Sequence, residues 1–415
     1  MKRRQFIQGI GVVLAATGCT VIPRKAKAHV VVIGGGYGGA TAAKYIRMWS
    51  EGAIDVTLVE PNAAFISCPL SNLVLGGSRQ LQDITLSYDG LGKVHGIRMV
   101  RDMAQAIDVD KRSVKLASGA TLQYDRLVVS PGVDFIWDEL PGAQDKVLHA
   151  WKAGPQTVAL RAQLEAMPDG GNFVITIPPA PYRCPPGPYE RACQVAHYFS
   201  VAKPRSKVLV LDANPDVVSK GALFKKVWAQ KYAGMVEYWP NFKTVATDVG
   251  KRVVSELGER VQASVLNVIP PQRAGAIAVQ AGLMNVNKHW CGVNFQTFES
   301  TVAPLVHVLG DAIQTSPLMP KSGHMANQHA KVCAAAVVDL LNGRTPEATP
   351  ILSNTCYSFV SDKEVIHVAS VHAYDAAQKT LIVVPGSGGV SAAPSELEGE
   401  YGMNWARNIW ADTLF

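Results

Sequence analysis

Two kinds of pattern alternate along the chain. Short, unbroken apolar runs rich in valine and isoleucine occur in HVVVI (29–33), DVTLVE (55–60), RLVVSPGV (126–133), NFVITI (172–177), SKVLVLDANP (206–215) and PLVHVLGDAIQ (304–314). Runs of this length without polar alternation predict strands buried on both faces, as in parallel sheets. Between them lie stretches with apolar positions three and four residues apart, among them YERACQVAHYF (189–199) and MPKSGHMANQHAKVCAAAVVDLLNG (319–343), which predict helices. Strand and helix in alternation predict an α/β fold. After residue 346 the pattern changes to a strand-rich segment that closes on the aromatic stretch EYGMNWARNIWADTLF.

The first strand runs into Gly34, Gly36 and Gly39, spaced G-x-G-x-x-G, and then into a helix. Glycines at these places allow a tight turn and bring a pyrophosphate against a helix N-terminus. The second strand ends in Glu60, a carboxylate that can accept hydrogen bonds from an adenosine ribose. A remote partner favours FAD over NAD. Gly310 and Asp311 close another apolar strand and are similar to the Gly-Asp motif with which two-dinucleotide-domain flavoproteins hold the ribityl chain. The next helix puts Lys321, Ser322 and Gly323 at its start, facing the flavin, where its positive end would stabilise negative charge.

A second unit of this kind begins near residue 150, and its first strand, NFVITI, leads one to expect a second glycine fingerprint. The chain reads IPPAPYRCPPGPYERACQ (177–194) instead. Pro178, Pro179, Pro181, Pro185, Pro186 and Pro188 fix φ and remove amide donors where a phosphate would need them, so the expected electron donor is not a nicotinamide. A rigid loop suits the holding of Cys184 over a flavin. Glu190, at the start of the following helix, is a candidate acid or base. Cys356 opens the strand-rich segment, but spacing does not give connectivity. Cys193, Cys291 and Cys333 fall on apolar faces and read as core residues. Cys68, in AAFISCPLSN, belongs to a loop expected beside the flavin ring. A cysteine there is inert, disulfide-bonded or reactive, and its position leaves these readings open.

Composition changes the picture in one respect. The formal charge of +7 looks like the mark of an acidic partner, but six of the 40 lysines and arginines lie in the first 28 residues, which hold no acid. The rest nearly cancel against 33 acidic residues, so no nucleic-acid footprint is left. The first stretch looks like a twin-arginine export signal: Arg3 and Arg4, a short apolar run, and AKA before an expected cut after Ala28. Lipid attachment at Cys19 is a second reading, ranked lower because Ala16 stands where leucine is usual. The expected location is the periplasm, with no integral membrane segment.

At this point HVVVIGGGYGGATAAKYI, CPLSN, RCPPGPYERA, VIPPQRAG, FESTV, GDA, MPKSG and NTCYS form a collinear set of anchors. Together they resemble the flavoprotein subunit of flavocytochrome c sulfide dehydrogenase, over nearly the whole length after residue 28. The resemblance implies a glutathione-reductase-like flavoprotein: two Rossmann-like dinucleotide-binding domains and a smaller α+β C-terminal domain. The domains are expected at 29–138 with 275–346 (FAD), 139–274 (the second unit) and 347–415 (an interface domain). It further implies FAD attached covalently through Cys68, a redox-active disulfide between Cys184 and Cys356, Glu190 as an active-site glutamate, and Trp405 near the flavin. Pro69 after the flavin-linking cysteine is a departure, as are the extra cysteines.

The expected reaction is oxidation of sulfide to polysulfide or elemental sulfur. Hydrosulfide attacks the disulfide, Cys356 leaves as the thiolate, and electrons pass through FAD to a c-type cytochrome subunit in a heterodimer. The chain has no C-x-x-C-H of its own for a haem. Trp405 and Trp410 mark a candidate docking surface or a layer covering the FAD domain. The same residues also admit a sulfide:quinone oxidoreductase or an accessory thiol-redox flavoprotein. His329 and Cys333, one helical turn apart, lack further ligands, and no metal site is expected.

Overall fold

β-Branched side chains pack well on a pleated surface, and the apolar runs form strands accordingly. The computed structural model describes residues 27–415; the expected export signal and Cys19 lie outside the described residues, apart from the last two positions before the expected cut. In chain order the elements that frame the site begin with β1 (His29–Ile33), α1 (Tyr37–Trp49), β2 (Asp55–Val59) and α2 (Ser71–Gly76). β3 (Arg98–Val100) and β4 (Arg126–Val129) follow. The second unit supplies β5 (Asn172–Ile177), α3 (Gly187–Ala202), β6 (Lys207–Asp212), α4 (Gly221–Gln230), β7 (Val236–Trp239) and β8 (Val265–Val268). The chain then returns with β9 (Val306–Val308) and α5 (Gly323–Leu341). It ends in β10 (Ile351–Phe359), β11 (Val365–Asp375), β12 (Thr380–Val383) and α6 (Glu396–Leu414).

β9, β4, β1, β2 and β3 pair in that order as a five-stranded parallel sheet. The strands β7, β6, β5 and β8 form a second, four-stranded parallel sheet. The C-terminal layer is antiparallel, β10–β11–β12, with Cys356 opposite Val368. α1 packs along α5, where Ala40, Ala43, Ala330 and Ala334 are buried and small enough for close approach. α6 covers α1 from outside. Trp410 is therefore not part of a docking surface: it is 9% exposed, and its Nε1 donates to Tyr37 Oη at 3.0 Å.

The glycine fingerprint divides its work. Gly34 has φ of +94°, and a side chain there would meet the Ser130 carbonyl oxygen at 2.3 Å. Gly39 lies where α1 crosses β1, and its Cβ would sit 1.8 Å from the Gly34 carbonyl oxygen, which cannot retreat without moving the turn. Gly39→Ala is therefore expected to lower stability by about 3 kcal/mol, read as a lower denaturant midpoint, while an alanine at the open position Gly36 costs far less.

Candidate active site

Parallel sheets bind ligands beyond the carboxyl ends of their strands, and a cavity of about 610 Å³ opens there. It is lined from the first unit by Gly34, Gly36, Glu60 and Asp311, among others. Glu60 closes the glycine turn, accepting the Gly35 N–H at 2.6 Å and two donors of Asn62 at 2.8 and 2.6 Å. Gly36 faces space in which a Cβ would meet nothing within 4 Å. Asp311 carries a buried Oδ1 with no hydrogen-bond partner among the described residues, an acceptor waiting for a donor such as a sugar or ribityl hydroxyl. Burial raises the Asp311 carboxyl, against the opposing pull of Arg183 and Lys321. A glycine cradle, a terminal acid and an orphaned acceptor fit FAD.

Cys68 lines the same cavity and is partly accessible. A relay of hydrogen bonds fixes its loop. Trp410 donates to Tyr37, Tyr37 bonds Ser67 Oγ at 2.7 Å, and Ser67 Oγ donates to the Pro69 carbonyl at 2.7 Å. The loop that carries the thiol is thus tied through Tyr37 to α1 and through Trp410 to α6.

The proline loop brings the second unit to this place. Cys184 has φ of +58°, an uncommon conformation for a residue with a side chain, and its N–H donates to the Lys321 carbonyl at 2.8 Å. Cys356 arrives from β10, and Glu190 from the first turn of α3. All three line the cavity. The two thiols are unbonded in the structure. Glu190 is buried; its carboxylate accepts from the Phe359 N–H at 3.0 Å and from Asn72 Nδ2 at 3.1 Å. Burial raises this carboxyl, and those two donors only partly oppose it. Burial also pushes the Cys184 thiol well up, reinforced by Cys356 and Glu190, and raises Cys356, with Lys220 opposing. The position that commonly holds a ribose in such a unit is spent elsewhere. Asp212, at the end of β6, accepts Tyr189 Oη at 2.7 Å and Tyr238 Oη at 3.0 Å.

Ser322, Gly323 and Trp405 also line the cavity. Gly39 and Lys321 do not. Gly39 is a packing residue, and the Lys321 side chain turns away to the carbonyls of Asp311 and Ile313, at 2.9 and 2.5 Å, over the Trp290 ring. Its burial depresses the ammonium to about 7. The expectation that Lys321 faces the flavin is corrected: only its carbonyl, which receives Cys184, serves the site. Cys193, Cys291 and Cys333 are buried. His329 packs on Phe298 with centroids 4.7 Å apart, and among the described residues no cluster of three metal-ligating side chains occurs.

Sequence reading missed Asn72, Arg183, Arg191, His324 and Tyr357, whose only signal is proximity in sequence to a cysteine, Glu190 or the helix start. Arg191 matters most. It is 2% exposed, and its fork donates to Asn72 Oδ1, His149 O, Asn267 Oδ1 and Ala150 O at 2.8–3.2 Å. A lysine ammonium is a point charge that cannot reach acceptors set around a planar fork. Arg191→Lys is expected to cost about 3 kcal/mol, with loosened flavin binding, measured by chemical denaturation and by flavin retained on gel filtration.

Residues 157–270 match the model described as sulfide dehydrogenase [flavocytochrome c] flavoprotein chain, central, and residues 348–414 match flavocytochrome c sulphide dehydrogenase, flavin-binding. Residues 28–175 match pyridine nucleotide-disulphide oxidoreductase. A sulfide dehydrogenase [flavocytochrome c] flavoprotein chain from Chlorobaculum thiosulfatiphilum is 60% identical over 46 residues, 11% of this chain and 94% of that sequence. The mitochondrial sulfide:quinone oxidoreductase of Dictyostelium discoideum is 23% identical over 303 residues, 68% of this chain and 64% of that one. The solved sulfide:quinone oxidoreductase of Aquifex aeolicus superposes with a TM-score of 0.75 at 19% identity, covering 93% of this chain and 91% of the other, and so shares the fold. Two matches specific to this family, one containing Cys184 and the other Cys356, together with the 60% identical sequence, make this chain a member of the flavoprotein chains of flavocytochrome c sulfide dehydrogenase.

Proposed function

We propose that this chain oxidises sulfide in the periplasm, using a Cys184–Cys356 disulfide as the sulfide acceptor, FAD joined to Cys68, and a c-type cytochrome subunit as the electron acceptor. The observation that carries the reading is convergence. Cys68, Cys356 and the Cys184–Glu190 stretch come from three separate segments and line one cavity with the FAD cradle.

Gly34, Gly36, Glu60 and Asp311 would hold the dinucleotide, Ser322 and Gly323 the ring end, and Cys68 the covalent link. Bound there, FAD supplies the step from paired to single electrons that a cytochrome acceptor requires. The chain's own residues do the sulfur chemistry. Arg183 and Lys152 line the cavity and draw in the hydrosulfide anion. Attack on the disulfide gives a persulfide on one cysteine and a thiolate on the other. A second sulfide then releases the bound sulfur as polysulfide. Glu190, raised by burial, holds or gives a proton nearer neutral pH than an exposed carboxylate.

A cytochrome acceptor is supported by α6. Leu397 and Tyr401 are half-exposed on this helix, two turns and one turn before the cavity-lining Trp405. Ile409, Trp410 and Leu414 of the same helix are turned inward, so its strongest apolar face is already used. Among the described residues no helix is long and apolar enough to cross a membrane.

Acid precipitation and proteolysis of the purified protein, followed by mass spectrometry, should leave flavin on the Cys68 peptide; flavin free in the supernatant would count against the covalent reading. Cys184→Ser and Cys356→Ser should each retain flavin yet lose sulfide-dependent cytochrome c reduction on the order of a thousandfold. Near-normal turnover in either variant would sink the disulfide mechanism.

A further inference from the structure

Lys220 was not expected at the site, and neither its sequence context nor its domain points there. It precedes α4 with φ of +56° and sends its side chain out of the second unit into the C-terminal sheet. The ammonium donates to the carbonyl of Cys356 at 3.0 Å, to Ser358 Oγ at 2.7 Å and to the carbonyl of Ile366 at 3.3 Å. The residue is 8% exposed, and all three bonds go to uncharged acceptors. An ammonium desolvated in this way is costly unless a negative charge nearby compensates.

The ionisable groups acting on it are Cys356, Glu190 and Cys184, with Glu398 of α6 a lesser influence. Glu190 is already committed to the Phe359 N–H and Asn72. Cys356 itself is faced by Lys220, by Glu190 from α3 and by Cys184 from the proline loop. His324 of α5 stands beside it, accepting the Thr355 N–H at 2.9 Å, and burial keeps that imidazole toward its neutral form. Lys220 is thus the cation that directly opposes burial at Cys356. At Cys184, Arg183 outweighs it, and both are overcome by burial, Cys356 and Glu190.

We propose that Lys220 is a positioning residue of the sulfide reaction, its buried ammonium stabilising Cys356 as the leaving thiolate and so directing hydrosulfide to Cys184. The inference rests on the disulfide reading above. In the step, HS⁻ forms an S–S bond to Cys184 Sγ as the Cys184–Cys356 bond breaks, and the electron pair of the broken bond leaves on Cys356. The disulfide is reduced, sulfide is oxidised to the persulfide level, and the proton stays on the incoming sulfur. A sulfur better stabilised as thiolate leaves faster, so the cation decides which sulfur is attacked.

The test is alkylation of each thiol by iodoacetamide in the reduced holoprotein, followed against pH by peptide mass spectrometry. In the unmodified chain Cys356 should titrate below Cys184; the reverse order would overturn the inference without any variant. In Lys220→Met the Cys356 midpoint should rise by about one pH unit or more, and sulfide-driven flavin reduction should slow about tenfold or more, with flavin content unchanged. Lys220→Arg should restore most of both. An unmoved Cys356 midpoint in Lys220→Met would also sink the proposal. A non-reducing peptide map of the air-oxidised, unmodified protein separates the two levels. A missing Cys184–Cys356 linkage overturns the disulfide reading and this inference with it, whereas a present linkage with an unmoved midpoint overturns the inference alone.

Discussion

A guanidinium cut off from water must find its acceptors in protein, and the site is arranged around one that does. Arg191 gathers acceptors from the α2 segment (Asn72), the 149–150 turn and β8 (Asn267). Its neighbour Glu190 is set by the same turn of α3, and Asn72 serves both residues, accepting from one and donating to the other. Burial lowers the guanidinium to about 10, still far above neutral pH, so the fork stays charged and the geometry stays fixed. The orientation of α3, and with it the proline loop and Cys184, follows from this one satisfied charge.

The second unit shows what happens to a nucleotide-binding architecture when its donors are removed. The strand order and helix placement survive, because they depend on the buried apolar faces of β5, β6 and β8. The phosphate-binding turn does not, because proline offers no N–H. Asp212 is held by two tyrosine hydroxyls, which closes the ribose position as well. What remains is a stiff loop that presents a thiol to a neighbouring cavity, pinned by the Cys184–Lys321 backbone bond.

Around the thiols, burial and charge work against each other. Desolvation raises Cys184, Cys356 and Glu190 together, which by itself would favour neutral thiols and a protonated acid. Arg183 on one side and Lys220 on the other oppose this, and they do so unequally. Two chemically identical sulfurs thereby acquire different environments, the condition for a directed exchange reaction.

The sequence by itself determined the parallel strands, the glycine turn with Glu60 at the end of the second strand, the proline-rich replacement of a second fingerprint and the three cysteines that line the cavity. These are local: they follow from apolar periodicity, from the steric needs of a turn and from the absence of an N–H on proline. It misplaced the Lys321 side chain and left Trp410 open between a docking surface and a covering layer, because a helix start and an aromatic stretch look alike whether they face a ligand, a partner or the core. The tertiary structure decided those questions through burial and acceptor geometry, turning Lys321 to carbonyls over Trp290 and Trp410 onto Tyr37. It alone revealed Arg191 and Lys220, since a long cation's acceptors lie 41 to 146 residues away in the chain, a distance that no periodicity encodes.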